Sequence, residues 1–384
     1  MDTPGIDLEE LRYAIRERLS AEKASRILHV DGTKRSGVDR ELLSEVAALG
    51  WLAMSVPEQY GGLGLTFAEV GVLFEEVGRH PVRLPIFSMM LAAHALAAFG
   101  QEQQKAEWLS AISGGKVIAA VALPPDNSPQ PEELMIDSKG VVTGVASHVL
   151  FANCADLILL AARDANDRFV LVMVTPDQQG VSIDCKPTID LTRDLCAVKL
   201  NEVQILPHRR LQLSPSEWDE LSDFASVALA CDAVGGALYI LEQTVDYLCT
   251  RVQFERAIGS FQALKHRAAT WKILLEAASA FTRHAAGLLA TGVPGKSMAA
   301  SSAKFYACDA FASIAGDAVQ LHGGIGFTWE HECHLYLKRA KLNQVLFGSS
   351  TRHRDRVADL ILSDFLTAGT EGNSVAPAVT ACAR

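Results

Sequence analysis

Arg251-Val252-Gln253-Phe254, running on to Phe261-Gln262, and Gln320-Leu321-His322-Gly323-Gly324-Ile325-Gly326 are the two stretches on which the reading of this chain turns. The first sets a guanidinium, an amide and two aromatic rings along a helix end and the turn after it. The second breaks a long alanine-rich helix with three glycines in four residues, more than a helix stop needs. Glycines let backbone N–H groups approach an anion closely, and an arginine fork fits a diphosphate bidentately. Together they describe a cradle for the diphosphate and adenine of a dinucleotide. Taken alone, the first stretch reads equally well as a helix end with one solvated arginine and two core phenylalanines.

Working outward from the cradle, the last third of the chain is helical. Candidate spans are Pro215 to Phe254, Ser260 to Thr291, Met298 to Leu321, Glu330 to Leu346 and Thr351 to Phe365. The first has a clear start, with Ser214 as N-cap, Pro215 at the first helical position and Glu217 completing a capping box. Upstream the texture is different. Short β-branched runs recur at Val117 to Leu123, Val141 to Phe151, Leu157 to Ala161, Phe169 to Val174, Val181 to Ile183 and Ala197 to Ile205, separated by turn residues. They predict a small antiparallel sheet or barrel. From Leu8 to about Ser113 the pattern is again helical, interrupted by the loop from Val56 to Gly64. The expected division is an α-helical unit over 1–113, a β unit over 114–213, a helical bundle over 214–367 and a disordered tail over 368–384.

The 384 residues carry a formal charge of −10, 49% hydrophobic and 21% charged side chains. That balance predicts a globular chain with no nucleic-acid surface, since no basic block offsets the charge. No apolar run reaches the roughly 20 residues a bilayer span takes, and the start lacks a signal peptide's basic and apolar regions. A cytoplasmic location is expected. The eight cysteines are scattered with no Cys-x-x-Cys pair, so reduced thiols are the simplest expectation. His331-Glu332-Cys333-His334 places two histidines three apart, but no further ligand set accompanies them, and no metal site is expected.

Five stretches fall in order at a shared spacing: Leu49-Gly50-Trp51, Val56-Pro57-Glu58, Gly61-Gly62-Leu63-Gly64, Arg251-Val252-Gln253-Phe254, and Gly323-Gly324-Ile325-Gly326-Phe327-Thr328. In this the chain resembles an acyl-CoA dehydrogenase over about residues 8 to 365. The resemblance implies an α+β fold: an N-terminal helical domain, a middle β-sheet or barrel domain and a C-terminal helical bundle. It implies FAD as cofactor and oxidation of the Cα–Cβ bond of an acyl-CoA thioester to a trans-enoyl-CoA, with electrons passed to a flavoprotein or similar acceptor. It assigns Arg251, Gln253, Phe254, Phe261, Gln262, Gln320, Gly323 and Gly324 to the FAD site. Glu255 stands where the family usually has glycine. The stretch from Thr328 to Leu337 resembles a variant found in smaller subunits of bacterial heteromeric members.

Removing an α-proton from a thioester needs a sheltered carboxylate within hydrogen-bond reach. The family places it at one of two positions, which here hold Gly348 and Ala225, so the catalytic base is not identified. Asp232 is the nearest substitute, seven residues beyond Ala225 and about 10 Å further along the helix. Its plainer reading is an acid paired with a base in the bundle. The hydroxyls that hold the flavin ring in the family are also missing from the matching stretches, Leu123-Pro124-Pro125-Asp126-Asn127 and Val149-Leu150-Phe151-Ala152. These absences lead to a subunit of a heteromer, α2β2 by resemblance. It completes a homologous partner's FAD site, and the partner supplies ring contacts and base for a bulky or steroid-derived acyl-CoA. Two alternatives stand beside it: a self-sufficient homomeric acyl-CoA dehydrogenase using Asp232 or another acid, and a flavin-free scaffold subunit.

Overall fold

A computed structural model describes residues 6–20, 38–123 and 133–371. Five helices come first: α1 (Leu8–Ser20), α2 (Arg40–Ala48), α3 (Phe67–Arg79), α4 (Ile86–Phe99) and α5 (Glu102–Ser113). Local signals start them. Asp39 accepts from the Leu42 N–H, and Thr66 and Glu69 close a capping box at α3. Two carboxylates of α3, Glu75 and the fully buried Glu76, hold α1 through Arg12 (2.7 Å to Glu75) and Arg16 (2.7 Å to Glu76).

Eight strands follow: β1 (Ala119–Ala122), β2 (Met135–Ile136), β3 (Val141–Leu150), β4 (Leu157–Arg163), β5 (Phe169–Val174), β6 (Val181–Lys186), β7 (Leu195–Gln204) and β8 (Arg210–Gln212). They form one sheet in the order β6-β7-β3-β2-β4-β5-β8, with β1 paired to β4. The expectation of an antiparallel sheet or barrel needs correcting here. β1 and β2 each run parallel to β4, so the sheet is mixed, and no closed barrel forms among the described residues. Parallel pairing needs a long crossover, and alternation within a strand does not report its partner's direction. The β6–β7 register also sets Cys185 opposite Cys196, Cα atoms 4.0 Å apart, as a disulfide. The expectation of reduced thiols fails for that pair, because facing positions on neighbouring strands carry no sequence-spacing signature.

The second helical half holds α6 (Pro215–Thr250), a short hairpin of β9 (Val252–Gln253) and β10 (Arg256–Ala257), α7 (Gln262–Thr291), α8 (Lys296–His322), α9 (Cys333–Val345) and α10 (Ser350–Glu371). The Ser214–Glu217 capping box forms as the sequence predicts. By length and composition α6 could cross a membrane, but 89% of its most apolar window is buried in the protein. It is therefore a core helix, covered by α3, α7, α8 and α9. Two glycines bring α3 and α6 almost into backbone contact: a Cβ on Gly78 would lie 2.0 Å from the Asp232 carbonyl, and one on Gly235 1.8 Å from that of Glu75. The stretches Pro124 to Asn127 and 372–384, including most of the expected tail, lie outside the described residues, while α10 runs on to Glu371.

Candidate cofactor-binding site

At the end of α6 the chain turns sharply. Arg251 caps the helix, its N–H donating to the Tyr247 carbonyl at 2.8 Å, and β9 and β10 pair Gln253 with Arg256 and Val252 with Ala257. Phe254 and Glu255 are the two residues between the strands, with φ of 55° and 66°. A two-residue hairpin with both central residues left-handed normally takes asparagine and glycine. Side chains with a Cβ there cost about 1–2 kcal/mol each. Held strain of this kind clusters at working sites. Phe254 is 84% exposed and meets Phe261 edge-to-face at 6.1 Å. Arg256 lies over the Phe261 ring at 4.0 Å.

All the polar side chains that the sequence assigns to the cradle are free for a ligand. Arg251, Gln253, Gln262 and Gln320 are exposed, and their side chains meet no partner among the described residues. At the second stretch, α8 ends on His322 and a 3-10 turn runs over Gly323–Phe327. Gly323 has φ 64° and ψ −141°, a conformation open only to glycine. Gly326 is required by packing, since a Cβ would sit 2.7 Å from the Val319 carbonyl. Gly324 has neither reason: its φ is not left-handed and nothing lies within 4 Å of a Cβ there. The open space over Gly324 suits close approach of a ligand to the backbone. Tyr247, one turn before Arg251, stacks on His322 at 4.4 Å, which brings the two stretches to the same end of the bundle. An FAD diphosphate and adenine fit this combination of free donors, aromatic faces and bare backbone.

The middle of α6 is built differently. Asp232 is buried and accepts from Arg339 Nε at 3.1 Å and Asn343 Nδ2 at 2.7 Å; Arg193 Nη2 stands 3.1 Å away. Arg339 also donates to Thr192 at 2.6 Å, and Lys304 caps the carbonyls of Asn343 (2.8 Å) and Gly348 (3.2 Å). Burial alone would raise the Asp232 carboxyl, but the Arg339 and Arg193 charges and the hydrogen bonds hold it below the usual range. Asp232 thus ties α6 and α9 to the loop before β7. Its role as a substitute base is overturned, because both carboxylate oxygens are already engaged.

Neither family position of the base carries an acid: Ala225 is fully buried, and Gly348 (φ 106°) follows Phe347, which stacks on Phe87 at 5.4 Å. Val149, Leu150, Phe151 and Ala152 are all buried and carry no hydroxyl. Between the sheet and the bundle lies a recess of about 670 Å³, walled by Phe169, Trp218 and Phe347 with Arg168, Arg352 and Arg356. Each acid at its wall is paired: Asp164 with Arg168 (2.8 Å), Asp219 with Arg356 (2.8 Å), and Asp167 with Arg163. Behind it, Asp223 is buried against Arg356 (2.6 Å) and Ser297 (2.5 Å), and burial pushes its carboxyl up. Arg352 has no side-chain partner among the described residues. Sequence reasoning missed this recess, since its walls come from four separate segments.

The sequence pairs His331 with His334, three residues on. The fold instead sets His331 beside His322 and Cys333, their ligand atoms all within 4.8 Å of one another. His322 arrives from across the glycine turn, a separation no spacing rule flags.

Comparison with known proteins now adds to this geometry. The model of the acyl-CoA dehydrogenase N-terminal domain matches residues 6–116, and that of the C-terminal domain residues 223–362. The chain is 31% identical over 300 residues to acyl-CoA dehydrogenase IpdE2 of Mycolicibacterium smegmatis, covering 78% of this chain and 81% of that one. Among solved structures it is similar to the ChsE4–ChsE5 complex from Mycobacterium tuberculosis, at 25% identity and a TM-score of 0.85, covering 94% of this chain and 99% of that one. It is also similar to the Tcur3481–Tcur3483 steroid ACAD, at 27% identity and a TM-score of 0.84, covering 94% and 98%.

Proposed function

The chain belongs to the acyl-CoA dehydrogenase family, and from that premise we propose that it is one subunit of a heteromeric FAD-dependent enzyme that dehydrogenates the Cα–Cβ bond of an acyl-CoA thioester. Its share is to grip the nucleotide end of a flavin whose reactive ring lies against the partner subunit. The observation that carries the reading is the contrast on α6: the two buried acids nearest the missing base are both engaged, Asp232 by two arginines and Asp223 by Arg356 and Ser297, while the cradle's donors are all free.

Bound FAD supplies the hydride acceptor for the oxidation. Arg251 offers two parallel N–H donors to the diphosphate, a charge-assisted contact worth roughly 1.5–3 kcal/mol. Gln253 and Gln320 would hold ribose or phosphate oxygens, and Gln262 would offer its amide to adenine. Phe254 and Phe261 give the adenine apolar faces. Gly323 and Gly324 let the backbone come close without a Cβ between. No side chain at Ala225 or Gly348 can take the α-proton, so that proton goes to a carboxylate of the partner.

Similarity to two proteins named as pairs of unlike subunits, one of them a steroid ACAD, supports a heteromer and a steroid-derived acyl group. The recess beside Trp218 favours a second reading, a self-sufficient enzyme, because its size suits a small-molecule ligand and Arg352 a phosphate. That reading lacks an unpaired acid at the recess wall. The two separate on flavin content and turnover, measured on the chain purified alone and co-expressed with a homologous partner. We expect a colourless chain alone, and in the complex one FAD per pair of unlike subunits with acyl-CoA-dependent reduction of an acceptor dye. Stoichiometric FAD and turnover by the chain alone would overturn the heteromer; a colourless complex would leave a scaffold subunit.

A further inference from the structure

We propose that the Cys185–Cys196 bond is a thiol–disulfide switch that sets how firmly the loop between β6 and β7 is seated in the core. The bond joins β7 to β6, an edge strand with no neighbour on its outer side among the described residues. It lies at the foot of the loop formed by residues 187–194 and closes that loop from below.

What the loop carries makes its closure matter. Asp190, Thr192, Arg193 and Asp194 are all buried, each with a polar side chain. Asp190 shapes the loop from within, its carboxylate accepting from the Thr192 N–H at 2.8 Å and hydroxyl at 2.7 Å. The next three tie it to the rest of the molecule. Thr192 accepts from Arg339 of α9 at 2.6 Å, and Arg193 stands 3.1 Å from Asp232 of α6 and donates to Asn343. Asp194 accepts from Arg83 at 2.8 Å and from Asn153 at 3.0 Å. A disulfide acts chiefly by restricting the opened chain. Without it, the ladder to β7 alone holds β6, and an edge strand opens locally at little cost. Each opening of the foot then withdraws Thr192 and Arg193 from the knot around Asp232.

The two sulfurs differ in access. Cys185 is half-buried on the edge strand, whereas Cys196 is 1% exposed. A thiolate of a dithiol reductant therefore attacks the Cys185 sulfur, and the S–S bond breaks with Cys196 leaving as a thiolate that takes up a proton. The reductant's second thiolate attacks its own sulfur in the mixed disulfide and releases Cys185, which is protonated in turn. Two electrons pass from the dithiol, which ends as a disulfide, and its two protons balance those gained by the cysteines. A small-molecule disulfide runs the sequence in reverse. Cys154 lies in the turn that packs on both strands, but burial pushes its thiol up to about 12. It stays protonated near neutral pH and does not attack the bond.

The test combines thiol alkylation with amide hydrogen exchange on the folded full chain purified without reductant. We expect Cys185 and Cys196 to resist iodoacetamide at first and to be labelled after native treatment with dithiothreitol. Amide exchange over residues 187–194 should then rise at least about 10-fold and return to its starting rate with oxidised glutathione. Cys185→Ser should exchange like the reduced wild type with or without dithiothreitol. Three results overturn the switch: both cysteines labelled even after oxidised glutathione, a bond that dithiothreitol opens only in denaturant, or exchange over the loop unchanged by reduction. If Cys185→Ser does not fold, the wild-type comparison decides alone, since it needs no substitution. Neither flavin nor partner enters the readout, so failure here leaves the reading of the cradle untouched.

Discussion

Asp232 and Arg251 belong to the same helix, about five turns apart, and the structure treats them in opposite ways. Around Asp232 each charge has its counter-charge and each lone pair its donor, within a buried knot joining three elements. Around Arg251 the guanidinium, three amides and a bare backbone turn face outward with nothing to bind, next to a hairpin held in an expensive conformation. A polar group that the fold satisfies internally is part of the scaffold. A set of polar groups left unsatisfied, on strained but well-anchored backbone, is where a ligand or partner completes the structure.

The sharpest way to break the contrast is Asp232→Asn. It leaves Arg193 and Arg339 buried around a neutral amide, and removing one partner of such a pair costs about 3–5 kcal/mol. Urea unfolding should show that loss. The sign of its pH dependence follows from the carboxyl's depressed value. The stabilisation is present above the unfolded value near 3.8 and is lost as pH falls through the lower folded value. The wild-type chain should therefore lose stability below about pH 4 more steeply than the variant. A loss under 1 kcal/mol would mean that the knot is not the scaffold we take it to be.

Arg251→Ala is the mirror experiment. An exposed, unpartnered arginine should cost the chain's own stability less than about 0.5 kcal/mol. Flavin retention by the complex should fall about 10- to 100-fold, the equivalent of one charge-assisted contact. Isothermal titration of the flavin-stripped complex with FAD reads this directly. Equal losses in stability and flavin affinity would collapse the distinction.

How far the sequence foretold this contrast depends on the range of the signals. The capping box at Ser214 and the glycine turn after His322 are local, and both are where the residues say. Asp232's plainer reading, as a paired acid, was also legible. Its partners were not, because Arg339 lies 107 residues away and is brought in by helix packing. The parallel pairing of β1 with β4 stayed hidden for the same reason. The hairpin at Phe254-Glu255 was missed because those two residues carry no turn signal; tertiary context imposes the turn on them. The three-group cluster at His322 needed the fold to close the turn.

Glu255→Gly tests that imposed turn. Glycine adopts φ of 66° freely, so the variant should be more stable by about 1 kcal/mol, read as a rise in Tm of a few degrees. If flavin affinity rises as well, the glutamate is an anion tolerated beside the diphosphate. If it falls, the strained hairpin aims Gln253 and Phe254 as they stand.

Gly324→Ala should have the smallest effect on the chain and is the finest probe of the cradle. With no left-handed φ and no atom within 4 Å of the new methyl, stability should move by less than about 0.5 kcal/mol. A methyl standing between backbone and ligand should still weaken flavin retention several-fold, since the N–H groups then lose their close approach. Because folding energetics give no reason for glycine at this position, any loss of binding must come from the ligand side. Unchanged binding would move the flavin off this turn and leave Arg251 and the hairpin to hold it.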